Sequence, residues 1–211
     1  VLFRSLNDWV ARCETLLRAT EPVADTGVLY PVESAWAAFT PANQGATSSQ
    51  GVREINDAWQ RVQTGLFESQ RDFEVIDSRA IAGGRVEAGV LRCGKVTLRS
   101  VVLPLTSTLR VEALERLAEL VESGGMVVLV GALPTDSLER RDDPRCREAL
   151  ARLLGQGFDV DGVRGDSYVV RPGPAGGGCA FVGKDLLPLV PRLLDAARSE
   201  EHTSELQSPN T

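Results

Sequence analysis

A chain of 211 residues with 43% hydrophobic content is long and apolar enough to bury the core of one ordinary globular domain. Its 23 Lys and Arg against 29 Asp and Glu leave a formal net charge of −6, which argues against nucleic acid or an anionic membrane surface as partner. No apolar run reaches the length of a membrane span, and the four cysteines (Cys13, Cys93, Cys146 and Cys179) form no Cys-x-x-Cys pair of the kind that holds zinc or staples a small secreted domain.

The two ends read as foreign to the domain. Val1-Leu2-Phe3-Arg4-Ser5 and Arg198 to Ser208 match the translations of a common short-read sequencing adapter, the first from one strand and the second from the other. Residues 1–5 and 198–211 are therefore expected to be adapter-derived, which leaves 6–197 as the native segment and its compartment open. Removing those ends is expected to leave folding and the melting temperature unchanged, since chain termini of this composition rarely pack. The only histidine, His202, falls in the second of them. The native segment then holds no Ser–His or Cys–His nucleophile pair and no His-ligated metal, and neither metal nor other cofactor is expected.

In chain order, Leu6, Trp9, Val10, Cys13, Leu16 and Leu17 repeat at helical spacing, with Asn7 or Asp8 as cap. This helix, within residues 6–22, is expected to link to a missing upstream domain or to pack on the sheet, and residues 23–197 to form one α/β domain. Val23 to Tyr30 reads as a strand ended by Pro31, and Pro41 to Gln50 as a polar loop. Val52 to Phe67 reads as a helix carrying Ile55, Trp59, Val62 and Leu66, and Phe73 to Asp77 as a short strand. Val86 to Val96 suggests a hairpin turning at Cys93-Gly94-Lys95. Val101 to Leu103 and Met126 to Val130 are short continuous apolar runs, as expected of strands covered on both faces. Between them Val111, Leu114, Leu117, Leu120 and Val121 form a helical stripe stopped at Gly124-Gly125. Asp136 to Asp143 reads as a solvated charged loop leading into a helix over Cys146 to Leu154 closed by Gly155. Phe158–Val160, Tyr168–Arg171 and Cys179–Val182 read as short strands, the Gly176-Gly177-Gly178 run as a turn rather than a phosphate loop, and Asp185 to Ala197 as a final helix. Alternating strands and helices with double-sided strands predict a mostly parallel sheet with helices on both faces, with Val23–Tyr30 at its centre.

Three blocks carry a resemblance: Val23 to Ser34, with its Tyr-Pro-x-Glu-Ser; Asp72 to Asp77; and Ser100 to Pro104 followed by Leu114 to Val130, with its Gly-Gly between helix and strand. Together they resemble the glutamine-amidotransferase-like, flavodoxin-like domain that follows the catalytic barrel in bacterial glycoside hydrolases. The trimerisation domain of family 42 β-galactosidases and the equivalent in large α-L-rhamnosidase-type enzymes are examples. The likeness covers about residues 6–130. An amidotransferase would need a cysteine on the sharp turn after Met126–Val130 and a downstream His-x-Glu; this chain has Gly131-Ala132-Leu133-Pro134 and no such histidine. The resemblance therefore implies the scaffold without its chemistry. It also implies an upstream barrel of the same chain as partner, with carbohydrate and a homo-oligomer as further possible partners, and catalytic carboxylates outside this segment.

Ligands of open α/β sheets bind beyond the carboxyl ends of the strands, where Glu33, Ser34 and Trp36 follow the first strand. These are the candidate cleft residues, with Trp36 as a sugar-stacking platform; the competing reading is that Trp36 and Phe39 cover the sheet edge. Asp72, Glu74 and Asp77 are too close in sequence to face each other as a glycosidase carboxylate pair, and Asp77 is expected to end the strand as a cap. The best reading is a non-catalytic accessory domain of a multidomain glycoside hydrolase. The alternatives are a standalone amidotransferase-like domain using Cys93 or Cys179, or a flavodoxin-like small-molecule binder.

Overall fold

The structure is a computed structural model that describes residues 2–18, 20, 23–41, 49–155, 158–159, 167–173 and 177–195. In chain order the helix α1 (Leu2–Leu17) leads to β1 (Thr26–Leu29), α2 (Val32–Ala38), α3 (Gln50–Glu68), β2 (Glu74–Ile76) and α4 (Ser78–Gly83). Three short strands follow, β3 (Arg85–Glu87), β4 (Val90–Cys93) and β5 (Val96–Leu98). Next come β6 (Ser100–Pro104), α5 (Val111–Glu122), β7 (Met126–Val130), α6 (Pro144–Leu154), β8 (Tyr168–Pro172), β9 (Gly178–Val182) and a 3-10 segment (Lys184–Leu189).

The main sheet has the order β2-β1-β6-β7-β9-β8. All pairs are parallel except β8–β9. The fold is thus the expected mostly parallel α/β sheet flanked by helices, compatible with a flavodoxin-like arrangement. Two placements differ from expectation. The first strand is interior but second from one edge, and β6 and β7 hold the centre. The strand at 168–172 runs antiparallel as an edge, because it precedes β9 without a helical crossover among the described residues.

Side-chain alternation along the strands divides the core. Val101, Leu103, Val127, Leu129 and Phe181 point to one face, where α5 and α6 bury Leu114, Leu117, Leu120, Leu150 and Leu153. Val102, Val128, Val130, Ala180 and Val182 point to the other, against Val62 and Leu66 of α3 and Leu187, Val190 and Leu194 near the C-terminal end of the described chain. The period of two within β6, β7 and β9 is what sends successive apolar residues to opposite helical layers.

Several local expectations are refined. The 86–96 hairpin turns at Cys93–Val96 as read, but β3 adds a third strand to it. Asp77 caps α4, its Oδ1 accepting from Ala80 N at 2.7 Å. The final helix begins as a 3-10 segment around Pro188 and turns α-helical over 190–195; proline lacks the N–H an α-helix would use there. Phe158 and Asp159 are not in a strand, and Val160 lies outside the described residues, as do the Pro41–Gln50 loop over 42–48, residues 174–176 of the glycine-rich turn and the C-terminal stretch from 196.

The charged run 136–143 is a loop leading into a helix, as read, exposed over 138–142 and tied by local hydrogen bonds. Ser137 Oγ accepts from Glu139 N and Arg140 N, and Asp136 Oδ1 from Asp142 N. Asp143, buried, is the N-cap of α6. Arg145 holds its carboxylate from Nε and Nη2, at 3.2 and 2.8 Å. That guanidinium, aided by the Ser137 hydroxyl, keeps the Asp143 carboxyl well below the usual carboxylate range. A carboxyl depressed in the folded state stabilises above its unfolded value, about pH 4, and the contribution is lost as pH falls through the folded value. Asp143→Asn is therefore expected to lose less stability than the parent chain between about pH 5 and pH 2. Urea unfolding across that range measures it, and superimposable pH profiles would refute the assignment.

Candidate functional site

β1, β2 and β6 end at the same edge of the sheet. The chain leaves β1 in one direction, to β2, and returns past it to β6, so β1 and β6 flank the switch point where such sheets hold ligands. The residues that follow β1 are helical rather than a loop: α2 spans Val32–Ala38 and carries all three candidate residues. Pro31, with φ already near helical values, starts it, and Phe39 in extended conformation ends it.

The three candidates part company. Ser34 is wholly buried and fills the switch point. Its Oγ accepts from Ser107 N and Thr108 N, both at 3.0 Å, and donates to Thr108 O at 3.1 Å. Two converging backbone N–H groups, the arrangement that in other sheets cradles an anion, are thus satisfied by the protein's own hydroxyl. Glu33 is also buried, at 4% exposure. Its Oε1 accepts from Ser78 Oγ and lies 3.6 Å from Arg110 Nε, which also donates to Ser78 Oγ at 3.1 Å. Glu33 Oε2 and Thr108 Oγ1 are buried without a protein partner. This cluster links the segments after β1, β2 and β6. Trp36 faces outward, at 64% exposure.

Aromatic residues gather beside the buried cluster. Tyr30 and Trp59 meet edge to face, with ring centroids 5.1 Å apart and planes at 65°. They line a pocket of about 80 Å³ together with Pro31, Val32, Ala35, Val52, Ile55 and Asn56. Tyr30, Trp36 and Phe39 are each more than 40% exposed. The ends of α2 and α3 are pinned by Ser49 Oγ donating to Ala38 O at 2.8 Å. Sequence reading singled out Trp36 and missed Tyr30, Asn56 and Trp59; the four-residue spacing of Ile55 and Trp59 on one helix was the available signal, read there as core.

The thiols are not poised for catalysis. Burial raises the Cys93 thiol above its ordinary value, with Asp77 adding to the effect, and its Sγ donates to Ala80 O at 3.2 Å. Burial pushes Cys146 up to about 11 and raises Cys179 further still. A nucleophilic cysteine needs the opposite shift. Cys146 and Cys179 are expected to react with Ellman's reagent only on unfolding; labelling of either in the native chain would overturn this. Among the described residues no group of His, Cys, Asp and Glu could hold a metal, and no helix is long and apolar enough to cross a membrane.

α1 stands apart from these layers. Leu6, Trp9, Val10, Leu16 and Leu17 are each 48–72% exposed, so its apolar stripe packs neither on the sheet nor on another described helix.

The architecture therefore defines a class, a flavodoxin-like α/β domain whose switch point is filled from within. No protein-family model matches the chain, and no curated protein matches it in sequence. Among solved structures the fold is similar to Gan42B, a GH42 β-galactosidase, with TM-score 0.56 and 13% identity over 84% of this chain and 30% of that one. At that identity the likeness is one of fold. A β-galactosidase from Bifidobacterium adolescentis shares 17% identity over 70% of this chain and 61% of its own, with a TM-score of 0.38. The chain spans under a third of the Gan42B chain.

Proposed function

We propose that this chain is a non-catalytic accessory domain of a larger glycoside hydrolase, docked through α1 onto a catalytic barrel of the same polypeptide. The observation that carries the reading is the unpartnered stripe Leu6, Trp9, Val10, Leu16 and Leu17, five large side chains left in water on a helix at the N-terminal side of the domain. Exposed contiguous apolar surface of this kind marks an interface. Fold likeness to a part of a β-galactosidase chain supports the choice of parent. On this reading residues 6–22 link the barrel to the domain at 23–197, residues 1–5 and 198–211 are adapter-derived, and the acid and nucleophile carboxylates lie in the barrel.

Trp36 is then the one cleft candidate able to meet a substrate, because Glu33 and Ser34 are engaged inside the fold. In the full-length enzyme Trp36→Ala is expected to weaken sugar binding; unchanged affinity removes the platform role. The isolated chain is expected to hydrolyse no aryl glycoside above the buffer rate. Turnover by the chain alone would make it catalytic and end the accessory reading.

The two rival readings gain no comparable support. A cysteine-dependent amidotransferase would need a thiol of lowered pKa, and those at Cys93 and Cys179 are raised. A flavin or nucleotide at the switch point would have to displace Ser34 from three hydrogen bonds.

A further inference from the structure

We propose that the pocket between α2 and α3, walled by Tyr30 and Trp59, is a binding site for a neutral sugar. The lining decides the ligand class. Tyr30, Pro31, Val32, Ala35, Val52, Ile55, Asn56 and Trp59 include no charged side chain, so a phosphate, carboxylate or ammonium entering it would lose hydration and find no counter-charge. Two aromatic walls offer flat apolar surface. Asn56 and the Tyr30 hydroxyl supply donors and acceptors for hydroxyl groups. A molecule with one apolar C–H face and several hydroxyls meets all of these conditions. Apolar walls with a few fixed polar groups are the usual make-up of small-molecule sites.

Size sets the pose. A volume of about 80 Å³ has room for a few water molecules, so it takes one arm of the sugar, a hydroxymethyl or a methyl group, while the ring rests on the exposed Tyr30. The choice of a sugar over other neutral amphipathic molecules rests on the glycoside-hydrolase reading above; the neutrality of the pocket does not.

The chain's three tryptophans give the test its own control. Each indole N–H gives a separate signal in a ¹⁵N–¹H correlation spectrum, and Trp9, on α1, is not among the residues that line the pocket. The 211-residue chain is titrated with a methyl hexoside, a methyl 6-deoxyhexoside, a pentose, an N-acetylhexosamine, a hexuronate and a proline-rich peptide. The expected result is a saturable shift of the Trp59 signal with at least one neutral sugar, with Trp9 unmoved and the hexuronate silent. Asn56→Ala, an exposed change that leaves the fold intact, is expected to weaken binding several-fold, and Tyr30→Ala roughly tenfold, the scale of one lost aromatic contact. Silence at Trp59 across the neutral sugars overturns the proposal, as does a response to the peptide alone, or equal movement of Trp9. A parent barrel found upstream with this pocket silent would refute the site and leave the accessory role standing; a sugar-responsive pocket with no barrel would do the reverse.

Discussion

Ser34→Ala is expected to destabilise the domain by about 2–4 kcal/mol, because it strips the shared acceptor from one buried and one half-buried backbone N–H and the donor from one carbonyl. In a chain of this size that lowers the melting temperature by roughly 5–15 °C. Ser107 and Thr108 belong to the segment between β6 and α5, which is also tied to the segment after β7. Leu109 N donates to Asp136 O at 3.0 Å, and Asp136 N to Ser107 O at 3.1 Å. Loss of the hydroxyl therefore loosens the segments that follow three strands, of which β6 and β7 are central. Trp36→Ala, two residues along the same helix but exposed, is expected to stay within about 0.5 kcal/mol of the parent. Urea denaturation of both variants separates the roles. If Trp36→Ala were the costly change and Ser34→Ala neutral, the assignment of structure to Ser34 and surface to Trp36 would be inverted.

Gly177→Ala is expected to cost about 3 kcal/mol by forcing backbone against backbone. A Cβ at Gly177 would stand 2.1 Å from Gly125 O and 2.3 Å from Gly124 C, where no side-chain rotation can relieve it. Gly178 N donates to that same Gly125 oxygen at 2.9 Å, so the collision falls where β9 enters register with β7. Gly89 presses on the same point from the small sheet. With φ +74, its Cβ would lie 2.9 Å from Gly124 C. Close approach of three glycine segments is what lets the turn after α5, the β3–β4 turn and the start of β9 meet. Gly65→Ala provides the opposite case: it lies inside α3 with nothing within 4 Å of the added carbon, and is expected to stabilise by about 0.5–1 kcal/mol. Thermal unfolding should move the two variants in opposite directions. A Gly177→Ala chain as stable as its parent would mean that this junction is not packed as described.

The contrast between those positions shows where sequence reasoning reaches and where it stops. The runs at 101–103 and 126–130 were legible as double-sided strands because a short segment that is apolar at every position needs cover on both faces, and both lie in the middle of the sheet. Asp77 was legible as a cap because its chemistry is local. α2 and α4, at 7 and 6 residues, are too short for a periodic stripe to rise above noise, and tertiary packing rather than propensity holds them helical. For the candidate site, the strand-end location of Glu33, Ser34 and Trp36 followed from the pattern, but which of them faced inward did not. That depends on Ser107, Thr108, Ser78 and Arg110, 32 to 74 residues apart from their partners in the chain. The Tyr30–Trp59 pocket was hidden for the same reason, since it takes the packing of α2 on α3 to bring the two rings together.

The measurement that tests the accessory-domain account most directly is long-read sequencing of the source DNA upstream of the codon for Leu6. The account predicts an open reading frame that continues into a (β/α)₈ barrel with two facing carboxylates, preceding the helix whose apolar stripe is bare here. A start codon immediately before Leu6, or an upstream domain with no such carboxylate pair, would contradict it.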